Sequence, residues 1–384
     1  MWPRRTYLDY ASGPAGNPSS PHAEGRRARA RLEAARARIA RLVEAKPDDV
    51  VFTSGATEAN ALAILGVVRG RAVGQRDRAD REPRASRPRM LYLPGSHASI
   101  VENVRAAAQE AGAVAEALPI KDAQVDCGVL AQLLEAGGVL LVTMEAVCGE
   151  TGVVWNTREV RHVLEQVNGV SRPWLHVDAS QAPLAEKLAR AHFGADLLTL
   201  DGTKVGTTHR IGCLVAPRTI PLEPLYYGGS QERALRPGTE DVRGAEEFAY
   251  GLSFAAAHRD AFVKKTGALR ARLIGALERT VSGMRLNEGG RQAPHILNLS
   301  FPGRDTDYLV ALLDNAGFAV STKSACETDS PDGSRAVYAL FGDRKRAATT
   351  LRISWGPRIT WRDLVRFARA LREAVAFIDT SALR

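Results

Sequence analysis

The chain is 384 residues long and 45% hydrophobic, enough for a sizeable core and for more than one domain. It carries 52 Lys and Arg against 43 Asp and Glu, which raises a nucleic-acid reading, but the arginines gather near residues 25–41 and 69–89 without interleaved aromatics and suit a solvated helix face and a surface loop better. Widely spaced Cys127, Cys148, Cys213 and Cys326 give neither a disulfide framework nor zinc-type spacing; no run approaches the roughly 18 apolar residues of a spanning helix, and no apolar segment follows the first charges. A cytoplasmic protein without metal, membrane or nucleic-acid partners is expected.

Residues 6–22 are rich in Gly, Pro, Ser and Asn and read as an irregular arm. A helix over about 24–45 follows, with Leu32, Ile39, Leu42 and Val43 on its apolar stripe. Val50-Val51-Phe52-Thr53 reads as a strand, and Ser54-Gly55-Ala56-Thr57-Glu58-Ala59-Asn60 opens a helix to about Val68. A glycine turn entering a helix leaves N–H groups pointing one way, which suits a phosphate about as well as a plain N-cap. Segment 69–89 holds eight arginines, three acids and two prolines and reads as an exposed loop of disordered composition.

Met90-Leu91-Tyr92-Leu93 resumes the sheet, and His97 starts a helix that runs to about Ala111 and stops at Gly112. Val139 to Thr143 is a buried strand with its exit loop at 145–152, and 158–168 is helical. Next come Trp174-Leu175-His176-Val177-Asp178-Ala179-Ser180-Gln181 and, after the apolar run from Ala195 to Leu200, Asp201-Gly202-Thr203-Lys204. Both end as buried parallel strands do, with polar residues at the carboxyl end, where open α/β sheets bind ligands. An acid able to keep a pyridine nitrogen protonated, with a lysine able to bond a carbonyl carbon, is the minimum equipment for pyridoxal 5'-phosphate (PLP) chemistry.

Gly212 to Ala216 closes the sheet, 217–243 is loop-rich, and 244–280 is a long helical region. The pattern then changes. Ile296 to Phe301 alternates like a half-exposed strand, and a helix at 306–316, a short strand at 318–321, a strand at 351–354 and an amphipathic helix at 362–378 complete a second, α+β unit.

Six motifs occur in register: Tyr7-Leu8-Asp9-Tyr10-Ala11, Gly16-Asn17-Pro18-Ser19-Ser20, Phe52 to Glu58, His176 to Gln181, Arg236-Pro237-Gly238-Thr239 and Ser324-Ala325-Cys326. Together, over about residues 6–360, they resemble the cysteine desulfurases of the class V aminotransferase group. The resemblance implies an α/β, fold-type I PLP enzyme. Its large domain, residues 16–255, has a mainly parallel seven-stranded sheet flanked by helices. A smaller α+β domain, residues 1–15 and 256–384, carries the Cys326 loop. It also implies a homodimer that converts L-cysteine to L-alanine, leaving a persulfide on Cys326 for a sulfur-acceptor protein.

Residue by residue, Lys204 matches the lysine that carries the cofactor and Asp178 the acid at its ring nitrogen. Gln181 matches a donor to its phenolate oxygen, and His97 the histidine that stacks on the ring and shuttles protons. Ala56 and Thr57 match the phosphate turn, Thr203 offers a hydroxyl to phosphate, and Thr239 matches a phosphate ligand from the partner subunit. Arg352 matches the arginine that grips the substrate carboxylate. Cys326 matches the nucleophile, on a polar loop where Lys323 lowers and Glu327 and Asp329 raise its thiol pKa. His176 is assigned to packing.

The chain departs from the family at three places. Asp201-Gly202-Thr203 replaces Ser-Gly-His, putting a carboxylate where phosphate is expected. Cys148-Gly149-Glu150 replaces Asn-Asn-Glu and brings Cys148 towards the cofactor. Thr207-Thr208-His209-Arg210 replaces Gly-Pro-Lys-Gly. These departures leave open another class V reaction (selenocysteine lyase, transaminase or racemase) or a weakly catalytic sulfur-pathway scaffold.

Overall fold

Buried apolar runs alternating with helices produce one seven-stranded sheet, ordered β1-β9-β8-β7-β6-β2-β3. Its strands are β1 (Val50–Thr53), β2 (Arg89–Tyr92), β3 (Val114–Ala117), β6 (Val139–Glu145), β7 (Trp174–Asp178), β8 (Leu197–Asp201) and β9 (Gly212–Val215). The computed structural model describes residues 5–14, 16–76, 87–167, 172–322 and 333–381. β8, β7, β6, β2 and β3 run parallel, whereas β9 is antiparallel to both of its neighbours, β8 and β1. A hairpin, β4 (Ile120–Lys121) with β5 (Gln124–Val125), stands apart.

Both faces of the sheet are covered, so the period of two in each strand sorts apolar side chains into two cores. Phe52, Leu91, Val142, Val177, Leu198 and Val215 join one core with residues of α1 (Ala23–Leu42), α4 (Cys127–Glu135), α5 (Thr157–Glu165) and α7 (Val242–Thr280). On the opposite face Met90, Leu141, Leu197 and Leu214 pack under α2 (Ala56–Arg76) and α3 (Ala98–Ala111). Each fully buried Leu, Val or Met contributes about 1.5–3 kcal/mol. α6 (Arg190–Phe193) is a short connector into β8.

A separate core lies between a three-stranded antiparallel sheet and the helices α8 (Thr306–Asn315), α11 (Trp361–Ser381) and the end of α7. That sheet is ordered β10 (Arg285–Leu286), β11 (Ile296–Ser300), β12 (Thr350–Ser354). α9 (Arg335–Phe341) and α10 (Arg344–Ala348) precede β12. The arm at residues 5–14 is tied to the start of α1, through Arg5 to Glu24 and through the Asp9 carboxylate, which accepts from Ser20. Among the described residues no helix is long and apolar enough to cross a membrane.

Several expectations need correction. Residues 69–76 are helix rather than loop: α2 continues to Arg76, with Arg69 held by Glu110 of α3. Arg, Ala and Gln are good helix formers, and composition alone concealed that. Residues 77–86 lie outside the described residues. β9 comes last along the chain but sits inside the sheet, between β8 and β1. β11 is buried along its whole length because its polar residues have partners: Asn298 donates to Glu150 O at 3.0 Å, and Ser300 donates to Arg346 O at 2.8 Å. The expected strand at 318–321 reduces to one bridge, Ser321 with Arg352.

Candidate active site

The site grows out of the pleat. On the face that meets α2 and α3, the middle of the sheet carries a polar row instead of an apolar one. His176 is fully buried, with Nδ1 2.7 Å from the Thr143 hydroxyl and Nε2 3.0 Å from that of Thr199. Burial lowers its pKa to about 4, so the ring is neutral and structural. Two residues on along the same strands, at their carboxyl ends, stand Glu145, Asp178 and Asp201. All three line a cleft of about 320 Å³, together with Ala56, Thr57, His97, Cys148, Gln181, Lys204 and Arg352.

Asp178 is the best-anchored of these acids. Oδ1 accepts from the Ser180 N–H at 2.9 Å and from the Ser180 hydroxyl, and Oδ2 accepts from Asn60 Nδ2 at 2.7 Å. The second hydrogen of that amide goes to Ser99 Oγ at 2.9 Å, and Ser99 Oγ lies 2.8 Å from His97 Nδ1. His97 is the N-cap of α3, its Nδ1 accepting from the Ser99 N–H. That bond places the proton of the neutral ring on Nε2. One chain of hydrogen bonds therefore fixes both the imidazole and the carboxylate.

Glu145 lies beside Asp178 in register, is buried, and its Oε1 has no hydrogen-bond partner. Burial pushes its carboxyl well above the usual range and the Asp178 charge adds to that, while hydrogen bonds from the Cys148 thiol and the His97 N–H oppose it. Burial and the neighbouring Glu145 also raise the Cys148 thiol, whose sulfur accepts from Thr151 N–H at 3.4 Å. Cys148 is a packed thiol rather than a thiolate.

At the other end of the cleft Asp201 Oδ2 accepts from Ala56 N–H at 3.2 Å, and Oδ1 accepts from the Thr203 N–H at 2.7 Å and from its hydroxyl at 2.6 Å. Lys204 follows on the exposed turn Thr203–Val205. Arg352 reaches in from β12, donating to Gly149 O at 3.2 Å and to Ser321 Oγ at 3.3 Å, and so ties the small sheet to the loop after β6.

The aminotransferase class-V family profile matches residues 5–367. A putative cysteine desulfurase IscS 1 of Bacillus subtilis is 31% identical over 91% of this chain and 88% of its own. The chain belongs to the class-V aminotransferases, in the cysteine desulfurase family. A selenocysteine lyase of Homo sapiens is 28% identical, over 96% of this chain and 87% of its own. A solved NifS-like protein shares the fold with a TM-score of 0.83 over 96% of this chain and 93% of its own, at 24% identity.

In this family member the structure brings Ala56, Thr57, His97, Asp178, Gln181, Lys204 and Arg352 to one cleft. Thr203 stands next to it, with its hydroxyl given to Asp201. Thr239 is not among the lining residues; it borders a separate depression beside Thr53, Arg210 and Glu232. Cys326 and its neighbours Lys323, Glu327 and Asp329 lie outside the described residues.

Sequence reasoning missed Asn60, Ser99, Ser180 and Glu145. Asn60 carried a usable signal. It falls on the inward stripe of α2 with Ala63, Ile64 and Val67, where a lone amide needs a buried partner.

Proposed function

We propose that this chain is a PLP-dependent cysteine desulfurase, acting on L-cysteine and passing its sulfur to an acceptor protein. The observation that carries the reading is the convergence of Lys204, Asp178, His97 and Arg352 on one cleft from four separate parts of the chain. The residues at the ring end fit the cofactor. Asp178 presents a carboxylate fixed by three donors at the cleft floor, as a ring nitrogen requires, and Gln181 and His97 flank it. When bound, PLP withdraws electrons from the substrate's Cα.

The rest is done by the chain's own groups. Lys204 carries the cofactor and moves the Cα proton. Arg352 binds the substrate carboxylate with its fork, already aimed by Gly149 O and Ser321. His97, with its proton on Nε2, supplies and receives protons. The Cys326 thiolate attacks the substrate sulfur. An S–S bond forms, the C–S bond breaks, its electron pair passes to carbon, and a proton completes L-alanine. An acceptor thiolate then takes the outer sulfur of the persulfide, the S–S bond breaks, and the Cys326 thiolate is restored.

A homodimer suits the placement of Thr239, which one subunit would offer to the other's cleft. Tyr227 (84% exposed), Tyr250 and Phe254 leave apolar surface for such a contact.

Purified protein given PLP should absorb in the visible, and borohydride followed by peptide mapping should place the trapped pyridoxyl group on Lys204. Cys326→Ser should keep the absorbance and lose sulfide release from L-cysteine; unchanged turnover in that variant would refute the role of Cys326. The selenocysteine lyase relative motivates a second reading, in which L-selenocysteine is turned over and L-cysteine is not.

A further inference from the structure

The start of α2 is the place in the cleft best suited to an anion, and the chain's own acids already use it. The Ser54 N–H is taken by Glu58 Oε2 at 2.5 Å. Glu58 Oε1 in turn accepts from the Tyr226 hydroxyl at 2.8 Å and from Arg236 Nε at 3.4 Å. The Ala56 N–H is taken by Asp201 Oδ2, 3.2 Å away.

Asp201 reaches that N–H because Gly212 lets the turn lie against the end of the sheet. A Cβ at 212 would come within 2.7 Å of both the Gly55 carbonyl carbon and Leu200 O. Thr203 then holds the other oxygen with two donors, its N–H and its hydroxyl. The carboxylate therefore has three fixed donors at the mouth of a long helix, the environment a phosphate would seek.

We propose that Asp201 is a resident competitor for the cofactor's phosphate. This rests on the cofactor reading above. Phosphate and carboxylate are both anions, and both seek the Ala56 N–H and the Thr203 donors. The phosphate gains those donors only by displacing Asp201, and it then lies against a like charge. The ring end, at Asp178, takes no part in this exchange. The chain therefore discriminates weakly between phosphorylated and unphosphorylated pyridoxal, and it gives up its cofactor readily.

The test is a binding measurement on the full chain stripped of cofactor. PLP and pyridoxal are titrated separately into wild type, Asp201→Asn and Asp201→Ser, with visible absorbance as the readout. Asn keeps the size and the acceptor for Thr203 but removes the charge. Asp201→Asn should tighten PLP by about tenfold or more and leave pyridoxal within about twofold.

A second readout does not depend on Lys204. Inorganic phosphate should raise the melting temperature of Asp201→Asn and leave that of the wild type almost unchanged. Equal or weaker PLP binding by both variants, with the Lys204 adduct still formed, would overturn the competitor role alone. Uptake of neither compound by any of the proteins would overturn the cofactor reading with it.

Discussion

Asn60 holds the site together through two hydrogens on one nitrogen, and removing it tests the network directly. Asn60→Ala deletes a hydrogen bond to the Asp178 carboxylate, worth about 1.5–3 kcal/mol, and a neutral one to Ser99, worth about 1 kcal/mol. A small cavity adds about 1 kcal/mol in a fully buried position, and loss of Oδ1, which has no partner, returns about as much. The net expectation is a loss of about 2–4 kcal/mol, read from urea unfolding midpoints. Asn60→Asp separates packing from electrostatics. It keeps the volume but puts a second carboxyl where Nδ2 lay, 2.7 Å from Asp178 Oδ2, and two such groups cannot both ionise. The folded pair keeps a proton that the unfolded chain has lost above about pH 4, so stability falls as pH rises from about 4 towards 7. Asn60→Ala has no such slope. With cofactor added, Asn60→Asp should also change the position of the visible band, because the charge at the ring nitrogen is now shared. A loss below about 0.5 kcal/mol in Asn60→Ala, or identical pH profiles for the two variants, would refute the network.

The remaining predictions concern the frame around the cleft. His176, with its folded pKa lowered to about 4 by burial, stays neutral while the unfolded imidazole protonates near 6.5. The stability it contributes is complete above about pH 6.5 and is lost as pH falls towards 4, by about 3 kcal/mol at most; a midpoint-against-pH curve that stays flat between those values would contradict this. Glu232 lies in a turn with φ of +47°, +64° and +60° at Glu232, Arg233 and Ala234, a left-handed run that side chains resist. Its carboxylate accepts from Arg36 at 2.6 and 2.8 Å and from the Phe52 N–H at 2.7 Å. Glu232→Ala should cost about 3–5 kcal/mol in unfolding experiments, and pairing it with Arg36→Met should restore much of that loss.

What could be read from the sequence followed from how much local pattern each element carried. α3 was legible to the residue because it has a signal at each end: His97 caps it, and Gly112 takes φ +59° after it. β7 and β8 were legible because apolar runs stop at polar residues. β3 was not, since Val-Ala-Glu-Ala on an exposed edge has neither alternation nor burial. The place of β9 between β1 and β8 is set by long-range pairing, which four residues of Gly-Cys-Leu-Val cannot encode. At the site, residue identity and strand position named Lys204 and Asp178 as members of the cleft, and the family resemblance named Arg352. It could not show that the Thr203 hydroxyl is committed to Asp201, because that depends on side-chain rotamers.

The row structure explains why the site stands at the carboxyl ends of these inner strands. Along β6, β7 and β8 the face under α2 and α3 carries Thr143, His176 and Thr199 as one hydrogen-bonded rank and, two residues on along each strand, Glu145, Asp178 and Asp201 as the next, with β8 offset so that Thr199 pairs in register with Asp178. The first rank is closed, each polar group satisfied by its neighbour across the sheet. The second cannot close in that way, since three acids have no donors among themselves. Asp178 is served by Asn60 and Ser180, and Asp201 by Ala56 and Thr203. Glu145 is left with an unmatched oxygen and a raised pKa. Acids in that position cost stability unless cationic or donor groups face them, and the proposed cofactor, with a proton on its ring nitrogen, would be such a partner for the central one. Asp201 differs in where its donors stand. One of them is the Ala56 N–H at the start of α2, so an anionic ligand gains that end of the cleft only at the expense of the chain's own carboxylate.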